Sequence, residues 1–423
     1  MAASAPTLPQ QPKSLPLSVL MSVLTRDQGD EYENITLNHQ AALAATGVVS
    51  TPVSLRTDRK IKWIDIRWRG RFTNAATGPT LRTASPVFSA LTNATSAVIF
   101  GILQQVTVRG VHTYYGNQQP IVMRGEIIAE LAAIYNPNYY PWWTVSANGG
   151  AVTRFGALTV TLNQTNDIEF VLPIPTFPYG VGPNDQPFYC LHGPDWPGNI
   201  QMDFACNDGT CLATANPPTG PTAYGSASGQ ATIDIFTVRP LLGKDIMQWI
   251  RPSICFRQPF YNQPTQAVQV GGGSNQKLVD LTVGKDTTRI IVKVGTLASG
   301  GSGGVTQYGS YLDTVITRTL LYMDGRNLRF TVGATGDTMT NDYFARLLGR
   351  ISFAGFRIID LVEQAFLETV NPKAVFGSSG LTAARQFQVV ADITVGGSNI
   401  AEVLQEMLLD APAWQGPPID NAS

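Results

Sequence analysis

The sequence predicts an all-β chain of two tandem antiparallel β-sandwiches, and three observations carry that reading. A pattern of elements occurs twice: Ser96 to Arg109, a turn at Gly116-Asn117, a short apolar strand and a helix-like run from Glu126 to Ile134. It returns as Tyr311 to Met323, a turn at Asp324-Gly325, a strand from Leu328 to Val332 and a helix-like run from Asn341 to Leu348. Identity between the two copies is low, so the repeat is one of order. Next, 40 Gly and 28 Pro in 423 residues, with abundant Thr, Asn, Gln and Ser, suit many short strands joined by long polar loops. Finally, apolar and polar residues alternate with period two in several β-branched and aromatic segments, as half-buried strands require.

The elements follow in order. Met1 to Leu17 is a Pro/Gln-rich arm, and Ser18 to Leu24 a short apolar stretch that can dock on a neighbour. Ile61 to Phe72 is the clearest strand. Thr95 or Ser96 caps a short helix with Ile99, Leu103 and Val106 on its apolar face, although Val106-Thr-Val108 already suits the next strand. Gly125 to Ile134 is a helix ended by Asn136-Pro137. Tyr135 to Trp143 is an aromatic loop. Further strands are expected at Leu158–Leu162, Asp167–Pro173, Asn199–Phe204 and Ala231–Val238, with an exposed loop from Asn207 to Gly229. Arg239 to Pro252 is the candidate linker. In the second half, strands are expected at Lys277–Val283, Thr288–Val294, Thr319–Met323, Leu328–Val332, Phe356–Asp360, Ala365–Thr369 and Gln386–Thr394. Ala411 to Ser423 is a Pro-rich tail.

Composition narrows function. Charged residues make up 14% of the chain, against roughly 25% in an average soluble protein. A surface poor in charge suits closely packed subunit contacts, because charged groups are depleted from interface cores. The net charge of −1 offers no general attraction for nucleic acid, which needs clustered Lys and Arg. The one basic cluster, Arg56 to Arg71, alternates with Ile61, Trp63, Ile64, Ile66 and Trp68, and reads as a strand with one solvated or interface face. No apolar run is long enough to span a membrane as a helix, and the N-terminus lacks the features of a secretory signal.

Four cysteines are too few for a disulfide scaffold in 423 residues. Cys206 and Cys211 fit a small disulfide loop or plain thiols, and their spacing is not a usual zinc spacing. Walker, GxGxxG, HExxH, GxSxG and EF-hand signatures are absent. His39, His112 and His192 form no metal-ligand pair. No catalytic residue, metal or cofactor is expected, and the chain reads as a building block before it reads as an enzyme.

The order of elements resembles a known family. Phe100-Gly-Ile-Leu-Gln-Gln-Val106, a turn, a helix and then Ile168-Glu-Phe-Val-Leu-Pro-Ile174 are similar to the first barrel of double jelly-roll major capsid proteins. These build the shells of tailless icosahedral, mostly membrane-containing phages and share their architecture with the adenovirus hexon. Asn199 to Ala205 and Ala231 to Val238 match the end of that barrel in kind, and Leu320-Leu-Tyr-Met-Asp-Gly-Arg326 holds the equivalent place in the second. The likeness spans residues 50–400; the long polar loop from Asn207 to Gly229 departs from the commoner members.

The resemblance implies two tandem eight-stranded jelly rolls with short helices in the loops. The expected boundaries are an arm at 1–50, a first jelly roll at 51–240, a linker at 241–253, a second jelly roll at 254–410 and a tail at 411–423. It implies a structural major capsid protein of the virion, made in the host cytoplasm, forming pseudohexagonal homotrimers that tile an icosahedral shell. Partners would be other copies of the chain and penton or minor capsid proteins; an internal membrane is compatible, and sequence-specific nucleic acid is not expected. Contact candidates are Trp63, Trp68, Tyr139, Tyr140, Trp142, Trp143 and Trp249. Two other classes fit parts of the sequence. The aromatic loop suits a carbohydrate-binding or carbohydrate-cleaving sandwich, and a virion fibre would explain self-association, although no shaft repeat or coiled coil is visible.

Overall fold

The computed structural model describes residues 15–16, 41–43, 52–81 (without 56, 58, 59 and 62), 99–112, 116–135, 142–176 and 191–238 (without 199). It further describes residues 259–262, 268–270, 272–282, 286–297, 308–311, 315–323, 326–333, 355–360, 387–393, 399–408 and 419–420. In the first half the strands are β1 (Ala41–Leu43), β2 (Val53–Leu55), β3 (Trp63–Thr73), β4 (Leu103–His112), β5 (Gly116–Met123), β6 (Trp142–Ala147), β7 (Val152–Arg154), β8 (Thr165–Pro175), β9 (Ile200–Cys206), β10 (Thr219–Thr222) and β11 (Ala231–Val238). Helix α1 (Gly125–Tyr135) follows β5. One sheet runs β7-β6-β8-β3-β11-β1, with β10 also on β3, and faces the run β5-β4-β9-β2.

Strand β3 organises the first sandwich. Ile64, Ile66, Trp68 and Phe72 point inward and are fully buried, while the arginines between them point outward, as the two-residue period demands. Eleven consecutive residues pair with β8, from Trp63 opposite Pro175 to Thr73 opposite Thr165. Pro173 and Pro175 are tolerated because β6 pairs with β8 only from Asn166 to Val171, which leaves no ladder bond there for a proline to break. The core is aromatic: the Trp68 ring stacks on Phe170 at 5.3 Å, and Phe100 meets Phe170 and Trp143 edge-on. Gly70 makes room for Trp68, since a Cβ there would lie 2.5 Å from the indole.

In the second half the strands are β12 (Pro259–Asn262), β13 (Val268–Val270), β14 (Gly273–Asp280), β15 (Asp286–Leu297), β16 (Tyr308–Tyr311), β17 (Ile316–Met323), β18 (Arg326–Gly333), β19 (Phe356–Asp360), β20 (Phe387–Ile393) and β21 (Asn399–Leu408). One sheet is β14-β20-β17-β18; the other, β16-β15-β21-β12 with β13 and β19 alongside, joins the first half's β5-β4-β9-β2 edge to edge. The join is a parallel pairing of Tyr261 with Ile121, so one ten-stranded sheet passes through both halves. A second core of Ile290, Val292, Val294, Ile316, Leu321, Val389 and Val403 fills the second sandwich. Ile291, Phe356, Ile358 and Leu404, on the opposite face, belong instead to the first core.

Several expectations change. Leu158–Leu162 is no strand: its backbone is held by side chains, with Asn74 Nδ2 donating to the carbonyls of Thr159 and Thr161 at 2.8 and 2.9 Å. The end of the aromatic loop is strand β6. The loop 207–229 carries a 3₁₀ turn at Gly209–Cys211 and strand β10, which returns to β3. Strand β21 was not foreseen. Residues 41–43 of the expected arm add an edge strand against β11, and Leu15–Pro16 pairs in parallel with Ile419–Asp420 of the tail. The stretch Ser18 to Leu24, the strand at Ala365–Thr369, the helix-like run Asn341–Leu348 and the linker 241–253 lie outside the described residues.

Candidate assembly faces and a buried ionic seam

Two surfaces concentrate the polar chemistry of the described chain: the outward face of β3 and the seam between the halves. On β3, Arg67, Arg69 and Arg71 stand between acidic columns contributed by β8 and β11. Arg71 makes two 2.7 Å bonds to the carboxylate of Asp167 directly opposite. Arg67 donates to Glu169 at 2.7 Å and Arg69 to Asp234 at 3.0 Å, each on the diagonal. Three cations and three carboxylates therefore cancel along Arg67 to Arg71, the part of the basic stripe whose side chains are described. The loop after β10 folds over this face, where the Gly225 amide donates to Asp167 at 3.1 Å.

The seam is more deeply buried. Outward residues of β15 and β21 form cross-strand pairs: Arg289 opposite Glu406, Ile291 opposite Leu404 and Lys293 opposite Glu402. Arg289 donates to Glu406 at 2.9 Å with both side chains almost wholly enclosed. From the first half, Arg124 and Glu126 reach the same patch at the junction of β5 and α1. Lys293 Nζ lies 2.9 Å from Glu126 Oε2 and 3.8 Å from Glu402 Oε2, and Arg124 pairs with the other oxygen of Glu402. Glu126 sits in the first turn of α1, where the helix dipole favours a negative charge. Gly125 allows the approach, since a Cβ there would fall 2.2 Å from the carbonyl of Phe100. Burial pushes the Lys293 amine down, against the pull of Glu126 and Glu402.

The expected contact residues divide. Trp68 and Trp143 are 0% exposed within the single chain, so neither can touch a neighbour, and the expectation for both is corrected. Trp143 packs at 4.9 Å on Phe155 and donates its indole N–H to the Gly156 carbonyl at 3.1 Å, which also removes it from any sugar-stacking platform. Trp142, on the other face of β6, is half-buried beside Val171. The side chain of Trp63, and residues Tyr139, Tyr140 and Trp249, lie outside the described residues. The parity of a strand already separates two of these candidates: adjacent residues, like 142 and 143, face opposite ways.

Cys206 and Cys211 are buried free thiols. Burial pushes the Cys206 thiol up to about 12, so it stays protonated and inert at neutral pH. His112 is buried edge-on against the Trp196 ring at 5.1 Å. Among the described residues no group of three His, Cys, Asp or Glu is placed to hold a metal, and no helix is long and apolar enough to cross a membrane.

No family model matches the sequence, and no curated protein resembles it in sequence. Solved structures do resemble it in fold. The major capsid protein of STIV superposes with a TM-score of 0.53 at 12% identity, covering 88% of this chain and 95% of that one. A chain from the atomic structure of Sulfolobus Turreted Icosahedral Virus gives 0.50 at 11% identity, covering 88% and 89%. At such identity the likeness establishes the fold: the chain is an all-β protein with the double jelly-roll architecture of these capsid proteins.

Proposed function

We propose that this chain is the major capsid protein of an icosahedral virus, assembling as a pseudohexagonal homotrimer whose copies tile the shell. The observation that carries the reading is the double sandwich itself, shared over 88% of this chain and 95% of the STIV major capsid protein. Two similar upright sandwiches per chain give six per trimer, so a threefold unit can fill a hexagonal position. The division into an arm at 1–50, jelly rolls at 51–240 and 254–410, a linker and a tail belongs to the same proposal.

Self-association is supported by the low charge of the chain and by the internal neutralisation of the β3 face. Contacts between copies are assigned to Trp142 among the described rings, and to Trp63, Tyr139, Tyr140 and Trp249. Penton or minor capsid proteins would complete the shell, and an internal membrane would leave it no need to neutralise a genome. The role is structural, without catalysis.

The native mass in solution tests the reading. A species of three times the chain mass of 45.6 kDa, forming hexagonal particles under the electron microscope, is the expected result. A chain that stays monomeric at every concentration up to precipitation would overturn it.

A further inference from the structure

We infer that the buried cluster Arg124–Glu402–Lys293–Glu126 is an orientation lock: it fixes how the second sandwich sits on the first, and this is its role in place of added stability. The inference concerns the chain itself and does not rest on the capsid reading.

Three observations converge on it. The first is placement. Arg124 and Glu126 belong to the first half, at the turn from β5 into α1, whereas Lys293 and Glu402 are directly opposed on β15 and β21 of the second. Glu402 is gripped from both halves at once, with Arg124 on one oxygen and Lys293 on the side of the other. Lys293 in turn spans Glu126 of the first half and Glu402 of its own.

The second is the contrast with everything else at the join. Among the described residues the two sandwiches share one strand pairing, the parallel contact of Tyr261 with Ile121. Around the ions lie Ile291, Leu404, Phe356 and Ile358, packed into the first core. Apolar contact is non-directional, so this packing tolerates small rotations and slides. A cluster of ion pairs does not: a displacement of one residue along β15 would replace Lys293 with an apolar neighbour, Val292 or Val294.

The third is burial. The side chains of Lys293 and Glu402 are 0% exposed, Glu126 is 8% and Arg124 is 11%. Desolvating four charges offsets most of their mutual attraction, and well-packed apolar groups of similar volume stabilise as well or better. Each half brings one cation and one carboxylate, but the two close pairs, Lys293 with Glu126 and Arg124 with Glu402, both run between the halves. A misaligned arrangement breaks both close pairs and leaves Glu126 and Arg124 buried without their partners, and that penalty is the discriminating force.

The test uses the full-length chain with Cys190→Ser and Cys255→Ser, spin-labelled at Val152→Cys on the first half and Lys277→Cys on the second. Both positions are exposed, at 60% for the Val152 residue and 54% for the Lys277 side chain. Labelled chain is diluted into unlabelled chain so that only distances within a copy are read by pulsed dipolar spectroscopy. The lock predicts one narrow distance in the parent. In the apolar replacement Arg124→Met, Glu126→Leu, Lys293→Met, Glu402→Leu it predicts a folded chain whose distance broadens or splits. A narrow distribution at the parental distance in that variant overturns the inference. Should the fourfold replacement fail to fold, the pair Arg124→Met with Glu126→Gln decides in the same way, because it removes both links between the halves while keeping Lys293 and Glu402, which face each other within the second: broadening supports the lock and an unchanged narrow distance refutes it.

Discussion

Replacing Trp68 by alanine separates a core residue from an interface residue by magnitude. The indole is fully buried, stacks on Phe170 at 5.3 Å and on Phe72 at 6.2 Å, and turns its N–H towards the Cys206 sulfur. A large-to-small change of this kind costs about 3–5 kcal/mol, the lost transfer energy plus the cavity left behind. The site belongs at the top of that range, because the ring projects into the core from two strands, β3 and β8, held by an eleven-residue register that resists collapse around the void. With a urea slope of about 3 kcal/mol/M, a loss of ~4–5 kcal/mol moves the unfolding midpoint down by about 1.5 M. Near-ultraviolet circular dichroism of the purified chain in urea reads this directly, with Trp68→Phe expected between the two because it keeps the stack. A Trp68→Ala chain that unfolds within ~1 kcal/mol of the parent and yet fails to self-associate would refute the core assignment.

Trp142→Ala should behave in the opposite way: unfolding shifts by no more than about 0.5 kcal/mol, as for other surface changes, while the concentration at which the chain associates rises in sedimentation. Arg71→Ala leaves Asp167 without its two-bond partner in a nearly closed environment; a loss of about 2 kcal/mol is expected, largely recovered in the double variant with Asp167→Asn and read by a double-mutant cycle. Cys206 links stability to alkaline pH. Its folded pKa of about 12 stands above the ordinary thiol value of 9.0, so between these values the folded chain holds a proton that the unfolded chain has released. The stabilisation is complete below pH 9 and is lost as pH rises towards 12; Cys206→Ala should flatten that part of the pH profile, and native Cys206 should resist thiol reagents at pH 8 until urea unfolds the chain.

How much of this was legible in sequence depended on whether each residue's partners were close in the chain. Strands β3, β8, β9 and β11 announced themselves because one face meets an apolar core and the other meets polar neighbours, so the period of two survives. Leu158–Leu162 shows the same alternation without being a strand. There Thr159 accepts from Asn74 and its amide donates to the Asn166 side chain at 2.8 Å, so side chains far away in sequence meet the backbone's needs and no neighbouring strand is required. Strand β21 failed in the opposite sense. Ile400, Val403, Leu404 and Met407 fall at helix-like intervals, and Glu402, Gln405 and Glu406 look solvated, yet all three are fully buried. Their partners Arg289, Thr287, Lys293 and Arg124 lie more than a hundred residues away, and nothing local could signal that both faces of this strand would be enclosed.

That last failure also explains the composition. A chain with only 14% charged residues is expected to keep them on its surface, where hydration is cheapest. Here many are spent inside or half inside, as Arg–carboxylate pairs across β3, β8 and β11 and as ion pairs between the halves. Each of these charges meets its complement within the same molecule, while isolated apolar side chains such as Val111, Val152, Val160 and Leu162 stand exposed. Charge then specifies the fold from within, setting strand register on one face and the placement of the halves at the seam.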